Sequence, residues 1–323
     1  MAGQPLGGNG FGDGRPLVSV PGPEFLDLWP QGSAPVDLTV WAMADGDPVP
    51  GGPSGAPSLV VPPYMGAGRV AHRLAEVPGL RAVQLLTAGY EDVLAAVPAG
   101  VALANAAGVH DTSTAELAVA LAISALRGIG DFARAQVEGQ WFFGFRPALA
   151  DRRVLLIGTG SVGTAIARRL SVFEVELTRV GRTARVDEHG PVYAVGELET
   201  LLPHHDVVIL VVPLTEATRH LVDAAFLAAM PDGALLVNVA RGGVVDTDAL
   251  LAELNTGRLL AALDVTDPEP LPPDHPLWRA PGVLITPHVG GNTSAFLPRA
   301  KRLLVDQLTR YATGAPLQNV VTP

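Results

Sequence analysis

The chain has no cysteine, which removes disulfides and thiolate metal ligation and leaves the redox compartment only weakly constrained. Basic residues are in the minority, 22 against 32 acidic, for a net charge of −10 over 323 residues. A protein that grips a nucleic-acid backbone needs the opposite balance, although a local basic pocket survives this argument. A long hydrophobic run is also missing. The most apolar stretch, Leu117 to Leu126, is closed off by Glu116 and Arg127; it is too short to span a bilayer and reads as a buried helix. No charged segment followed by an apolar one stands near Met1, so no secretory signal is expected. No two histidines have the spacing of a helical zinc site, so no metal is expected. The expectation is a soluble cytoplasmic protein of two domains, or one large one, with neither nucleic acid nor membrane as partner.

What the chain does contain is a series of short apolar runs. Met1 to Arg15 is glycine-rich and polar, buries little, and is expected to be a disordered tail. From Leu17 to about Gly108, the runs Leu17–Val20, Val36–Trp41, Leu59–Val61, Ala82–Leu86 and Val101–Ala104 alternate with looser or helical stretches, with a Pro/Gly loop at Gly51–Pro57. This predicts a small α/β unit of flavodoxin-like type. Thr112 opens a long helix reaching about Val137, in which Ser113 and Glu116 supply a capping box. Later strands are predicted at Val175–Val180, Val192–Val195, Val207–Val212, Ala234–Val239, Ala261–Val265 and Val283–Thr286. Helical stretches such as Asp223–Met230 and Thr247–Asn255 separate most of them, and a last helix covers about Ser294 to Thr313. Repeated βα units of this length imply a doubly wound parallel sheet of Rossmann type.

The most informative segment begins at Val154, where an apolar strand feeds Gly158-x-Gly160-x-x-Gly163 and helix formers follow from Thr164 to Leu170. Between a buried strand and a helix, this spacing is a dinucleotide fingerprint. Gly158 permits the tight turn, Gly160 lets backbone approach a pyrophosphate, and Gly163 allows close helix–strand packing. A fingerprint that selects NAD carries an acidic residue at the tip of the second strand, about 20 residues on. Here the tip reads Gly181-Arg182-Thr183-Ala184-Arg185. Arg182, Arg185 and the Thr183 hydroxyl suit a ribose 2′-phosphate, so NADP(H) is preferred and NAD(H) kept as an option. The plainer alternatives are a solvated basic turn, or Asp187 or Glu188 folding back to serve NAD.

Polar residues cluster where strands end. Arg241 follows the run Val237–Ala240, carboxylates Asp264, Asp267 and Glu269 follow Leu263, His288 follows Thr286-Pro287, and Val212-Pro213-Leu214-Thr215 ends a fourth strand. Strand C-termini edge the cofactor crevice of a doubly wound sheet, so these side chains can converge. Arg, Glu and His suffice for hydride transfer between a carbinol and a carbonyl. His288 exchanges the proton, Glu269 raises its pKa and fixes its tautomer, and Arg241 holds the substrate carboxylate and polarises the carbonyl. Taken singly, each has a plainer reading: a surface ion pair for Arg241, a solvated loop carboxylate for Glu269, a loop-closing histidine for His288. His110, His204, His205, His220 and His275 read as structural or surface residues.

In sequence order, the glycine fingerprint, Pro213-Leu-Thr, Asn238-x-Ala-Arg-Gly, Leu263-Asp-Val with Glu269-Pro, and Thr286-Pro-His-x-Gly-Gly closely resemble the D-isomer-specific 2-hydroxyacid dehydrogenase family, over roughly Gln84 to the last residue. The resemblance implies a discontinuous substrate domain, residues 16–111 with 293–323, into which a dinucleotide-binding domain, 112–292, is inserted. It implies an active site in an interdomain cleft that closes on substrate. By the same likeness the Ser161 and Val162 amides take the pyrophosphate, and Val212 and Pro213 flank the adenosine. The Val239 and Ala240 carbonyls and the Asp264 carboxylate hold the nicotinamide amide, and His288, Gly290 and Gly291 border the ring. The backbone of Ala88, Gly89 and Tyr90 offers amides to the substrate carboxylate. A homodimer through the dinucleotide domain is implied, with Trp141-Phe142-Phe143 either in that contact or in the core. Gly181 replaces the family's usual Asp, as in the NADP-preferring glyoxylate/hydroxypyruvate reductase branch, and Tyr90 stands where a small residue is commoner, narrowing the substrate pocket. Formate dehydrogenases carry Gln where Glu269 stands. The activity implied is interconversion of a small 2-keto acid and its D-2-hydroxy acid. The alternatives are a short phosphoglycerate dehydrogenase and a dinucleotide-sensing, corepressor-like binding protein.

Overall fold

The computed structural model describes residues 14–52 and 55–321. Most of the expected disordered tail, residues 1–13, and Pro53 and Ser54 of the Pro/Gly loop lie outside them. The chain divides into two compact units, one running to His110 and resuming at Ser294, the other Asp111–Thr293.

In the first unit, five short strands form one parallel sheet: β1 (Leu17–Val20), β2 (Asp37–Val40), β3 (Leu59–Val60), β4 (Ala82–Gln84) and β5 (Ala102–Ala104). Their spatial order, β2-β1-β3-β4-β5, is that of flavodoxin-like folds. Such strands are apolar because a parallel sheet is covered on both faces. On one face Val18, Leu59 and Ala82 pack with Leu304 and Leu308 of the C-terminal helix, Phe296–Thr313. On the other, Val60, Val83 and Leu103 pack with Trp41 and Leu74. Two short helices, α1 (Ala67–Val70) and α2 (Glu91–Leu94), lie within this unit.

The second unit opens with α3 (Asp111–Arg127) and α4 (Ile129–Val137). Then follow β6 (Arg152–Ile157), α5 (Ser161–Leu170), β7 (Val175–Gly181), β8 (Arg185–Asp187), β9 (Gly190–Ala194), α6 (Leu198–Leu201) and β10 (Val207–Leu210). The unit continues with α7 (Ala224–Ala229), β11 (Leu235–Asn238), α8 (Thr247–Asn255), β12 (Leu260–Leu263) and β13 (Val283–Ile285). The sheet order β13-β12-β11-β10-β6-β7-β9-β8 contains the doubly wound order, and it reverses direction beside β6, where a dinucleotide crevice belongs. Val154, Leu156, Val207 and Val237 pack on one face against Leu121, Ala122 and Ile166 from α3 and α5. Leu155, Val208 and Leu236 pack on the other against Phe226, Leu227 and Leu254.

Three local expectations are corrected. The single helix from Thr112 to Val137 is two, because Gly128 takes a left-handed conformation with φ 63°, the geometry that ends helices. The capping box does not form: helix α3 already includes Asp111, the Ser113 hydroxyl bonds the Thr293 hydroxyl at 2.8 Å, and Glu116 pairs with Arg169 at 3.4 Å. The sheet is not wholly parallel either, since β8 runs antiparallel to β9. That hairpin was hidden because Arg185-Val-Asp carries no apolar alternation, although Gly190, at φ 100°, is the kind of residue that closes such a turn.

Candidate active site

The glycine turn after β6 is built by close approach. An added Cβ at Gly158, whose φ is 118°, would lie 2.3 Å from the Val211 carbonyl oxygen, and one at Gly163 would lie 2.1 Å from the Gly158 oxygen. Both positions therefore exclude any side chain. Gly160 differs: a Cβ there meets nothing within 4 Å, so its absence keeps space open rather than relieving contact. Helix α5 starts at the next residue with no side chain capping it. Its first amides, Ser161 and Val162 among them, are left to an outside acceptor, and the positive end of the helix dipole faces the same way. Open space over uncapped helix amides is what a pyrophosphate requires. Beyond β10, Val212 is half-buried and Pro213 exposed, its carbonyl accepting the Thr218 hydroxyl at 2.6 Å.

At the end of β7, Gly181 is hemmed in by Thr159, Arg185 and Val192, each within 3.0 Å of an added Cβ. Arg182 and Thr183 are exposed, while Arg185, in β8, reaches back to donate to the Thr159 hydroxyl at 2.8 Å. That bond sets a guanidinium beside the glycine turn. Of the acidic alternatives, Asp187 is engaged elsewhere and Glu188 is exposed. Asp187 accepts two bonds from the buried Arg179 guanidinium, at 2.6 and 3.1 Å, and one from the His189 amide. The Arg179 bond, first among these, holds its carboxyl down at about 2. Glu188 lies 3.5 Å from the His189 ring.

Arg241, Glu269 and His288 come from three neighbouring loops of this unit. Buried Asn238, the last residue of β11, accepts from the Ala240 amide and donates to the Arg241 carbonyl, each at 3.0 Å, fixing the turn that carries Arg241. The next residue must be glycine: a Cβ on Gly242 would lie 1.9 Å from the Thr266 carbonyl oxygen. The Arg241 turn thus packs directly on the loop that bears Glu269. On the third loop, His288 brings its Nδ1 to 2.6 Å from the Glu269 Oε1 atom. His288 has φ 53°, an uncommon conformation for a residue with a Cβ and one that clusters at functional sites.

Asp264 anchors that third loop. Its carboxylate, 3 % exposed, accepts from the Thr286 hydroxyl at 2.6 Å and from the Val289 and Gly290 amides at 2.9 Å each, and its carbonyl accepts from the His288 amide at 2.7 Å. The small Gly290 allows this, since an added Cβ would come within 3.0 Å of the same carboxylate. Asp264 thus holds the histidine loop, and its Oδ2, which accepts from the Gly290 amide, keeps acceptor capacity. The Ala240 carbonyl accepts from the Arg241 guanidinium at 2.7 Å, which uses one of its two lone pairs. Of the acceptors expected for a nicotinamide amide, the Val239 carbonyl is the one with no such internal donor among the described residues. Gly291 is half-buried beside Gly290.

Electrostatics follows the geometry. The hydrogen bond to Glu269 raises the His288 pKa above its ordinary value; burial and Arg241 oppose this, and the charges of Glu269 and Asp264 assist it. Burial pushes Glu269 up, but the bond and charge of His288, the Thr266 backbone and Arg241 together bring it below the usual carboxylate value. Arg241 acts on both partners, so the trio is electrically coupled. With Nδ1 facing Glu269, the imidazole is oriented as a Nδ1–H donor and presents Nε2 outward.

In the first unit, the turn Thr87–Tyr90 has every carbonyl held. The Leu86, Thr87 and Ala88 oxygens accept from His110 Nε2 at 2.7 Å, the Ala106 amide at 2.8 Å and Asn105 Nδ2 at 2.7 Å, and the Gly89 oxygen accepts from the Thr87 hydroxyl at 2.7 Å. Among the described residues, neither the Ala88 nor the Gly89 N–H has an acceptor. The Tyr90 amide donates to the Glu91 carboxylate at 2.9 Å, and the Tyr90 ring packs against the core beside Val93 and Val101. Asn105 and Glu91 went unnoticed in the sequence, and Asn238 stands there as part of a motif without a role of its own. Their roles are backbone-holding, and a single Asn or Glu beside a turn carries no signal of that.

Residues 119–290 match the model of the D-isomer-specific 2-hydroxyacid dehydrogenase NAD-binding domain. A glyoxylate reductase of Thermofilum pendens is 34 % identical over 248 residues, 73 % of each chain. A glyoxylate/hydroxypyruvate reductase B of Citrobacter koseri is 33 % identical over 260 residues, 77 % of this chain and 80 % of that one. Among solved structures, a D-isomer-specific 2-hydroxyacid dehydrogenase from Xanthobacter autotrophicus in complex with NADPH and MES superposes with a TM-score of 0.79 at 29 % identity, covering 96 % of this chain and 98 % of that one.

Proposed function

The chain belongs to the D-isomer-specific 2-hydroxyacid dehydrogenase family, as an NAD(P)-dependent oxidoreductase, and from that premise we propose that it interconverts a small 2-keto acid and its D-2-hydroxy acid with NADP(H) as preferred cofactor. The observation that carries this is the 2.6 Å His288–Glu269 pair with the Arg241 charge acting on both.

Gly158, Gly160, Ser161, Val162 and Gly163 would hold the dinucleotide, whose nicotinamide would supply or accept the hydride. Arg182, Thr183 and Arg185 receive the 2′-phosphate, Val212 and Pro213 flank the adenosine, and the Val239 carbonyl orients the carboxamide, with Gly290 and Gly291 lining the ring. Asp264 holds the histidine loop and, with the Ala240 carbonyl, keeps an acceptor for the carboxamide. In reduction the protonated His288 gives its Nε2 proton to the substrate oxygen while Nδ1–H stays on Glu269, which stabilises the imidazolium beforehand and the tautomer afterwards. In oxidation the neutral ring takes the hydroxyl proton back. Arg241 polarises the carbonyl and holds the carboxylate; in the first unit, the Ala88 and Gly89 amides are donors suited to a carboxylate.

The large exposed apolar residues Trp141, Phe143 and Phe145, after α4, are more than a monomer normally leaves in water; we assign them to a homodimer contact. Among the described residues no helix is long and apolar enough to cross a membrane. The test is NADPH and NADH oxidation with glyoxylate, hydroxypyruvate, pyruvate and longer 2-keto acids. Turnover faster with NADPH is expected; tight NADPH binding with no turnover on any of them would mean a sensor rather than an enzyme.

A further inference from the structure

Peptide planarity decides where the two amides of the Ala88–Gly89 turn can point. In a trans peptide the C=O and N–H are opposed, so holding a carbonyl from one side aims the following N–H to the other. The Thr87 carbonyl is held by the Ala106 amide, which aims the Ala88 N–H. The Ala88 carbonyl is held by the Asn105 side chain, which aims the Gly89 N–H. Both carbonyls are drawn toward adjacent residues, so both amides leave on the opposite side together.

Of these two anchors only Asn105 is a side chain. It is 9 % exposed, and its carboxamide orientation is unambiguous: Oδ1 accepts from the Ala107 amide at 3.2 Å, which can only donate, and Nδ2 gives to the Ala88 carbonyl, which can only accept. Its backbone is fixed as well. The Asn105 amide donates to Asn319, and its carbonyl accepts from Gln84 Nε2 at 3.1 Å. Gln84 in turn accepts at 2.6 Å from Gln307, which is fully buried on the C-terminal helix. A chain of buried amides so satisfied is rigid. It leads to one turn whose donors are still open.

We propose that Asn105 is the positioning residue for substrate-carboxylate recognition, holding the Ala88 carbonyl so that the Gly89 amide is presented, together with that of Ala88, to the anion. This rests on the reading of the turn as the carboxylate site. Asn105→Asp keeps the shape and the acceptor for Ala107 but sets an oxygen against the Ala88 carbonyl, freeing that peptide to rotate. Asn105→Ser removes the donor without adding charge.

Both variants are to be assayed as full-length protein with NADPH, a 2-keto acid, and the matching 2-keto amide, which has no carboxylate; binding of oxamate to the NADPH-loaded protein is measured alongside. Losing one hydrogen bond to a charged group raises KM for the acid and the Kd for oxamate roughly ten- to hundredfold. The expected pattern keeps kcat within a few-fold, NADPH affinity unchanged, and turnover of the amide unchanged. Equal losses on acid and amide, or a rise in KM confined to Asn105→Asp, would overturn the assignment, the first pointing to general damage and the second to charge repulsion. A wild-type protein that neither turns over the acid nor binds oxamate would instead sink the functional reading beneath it.

Discussion

Gly160→Ala and Gly163→Ala sit on one turn and should fail for different reasons. At Gly160 the backbone is extended, φ −75° and ψ −167°, and an added Cβ meets nothing within 4 Å. Alanine fits the protein there, at a cost of about 1 kcal/mol or less for a poorer helix cap. That is a fall in Tm of roughly 2–4 °C in a unit of this size. The methyl instead fills the space over the α5 amides, and overpacking of about 1–3 kcal/mol corresponds to roughly 5- to 150-fold weaker NADPH binding. At Gly163 the Cβ would lie 2.1 Å from the Gly158 oxygen, where ordinary contact begins at 3.4 Å. Helix α5 must then back away from β6 by about 1 Å, at a cost of about 3 kcal/mol or more and a Tm fall on the order of 6–12 °C. Calorimetry without cofactor, followed by a fluorescence titration with NADPH, separates the two. The reasoning is refuted if Gly160→Ala binds NADPH like the wild type, or if it melts as early as Gly163→Ala.

Other substitutions test other parts. Arg182→Ala and Arg185→Ala should each weaken NADPH roughly ten- to hundredfold and leave NADH nearly unchanged; equal losses would contradict a 2′-phosphate contact. His288→Ala should lower kcat on the order of 10²–10⁴-fold with NADPH affinity intact, whereas Arg241→Ala should raise KM and lower kcat together, as steady-state kinetics would record. Asp264→Ala leaves the Thr286 hydroxyl and the Val289 and Gly290 amides without their acceptor. It should destabilise the protein by about 3 kcal/mol or more; a Tm close to wild type would mean the histidine loop is held some other way.

Much of this was readable in the sequence, because the features that gave it away are those that physics allows few ways to satisfy. The apolar runs of both sheets could not be solvated, so their strands were found. The glycines at 158 and 163 stand where no Cβ fits, and Arg241, Glu269 and His288 are ionisable groups placed just after strands. What escaped lacked such a signature. Arg185-Val-Asp is polar enough to pass for a loop yet pairs as β8, and Gly128 breaks a helix whose flanks keep their helical composition. The resemblance assigned Asp264 to the nicotinamide amide, and its hold on the histidine loop is a further role that no spacing advertises. Its oxygens accept from Thr286, Val289 and Gly290, donors that only the fold brings together. Asn105 acts on a backbone group that no side-chain pattern advertises, and the motif containing Asn238 does not tell that it holds the Arg241 turn.

The central claim is that His288 moves the proton under the influence of Glu269, and pH profiles taken in both directions test it most directly. Reduction needs the imidazolium and so should fall as pH rises through the raised His288 pKa; oxidation needs the neutral ring and should rise over the same range. Removing the bond and charge that raise that pKa, by Glu269→Gln, should move both limbs toward lower pH. Limbs that stay where they are, or that move in only one direction of reaction, would contradict the account.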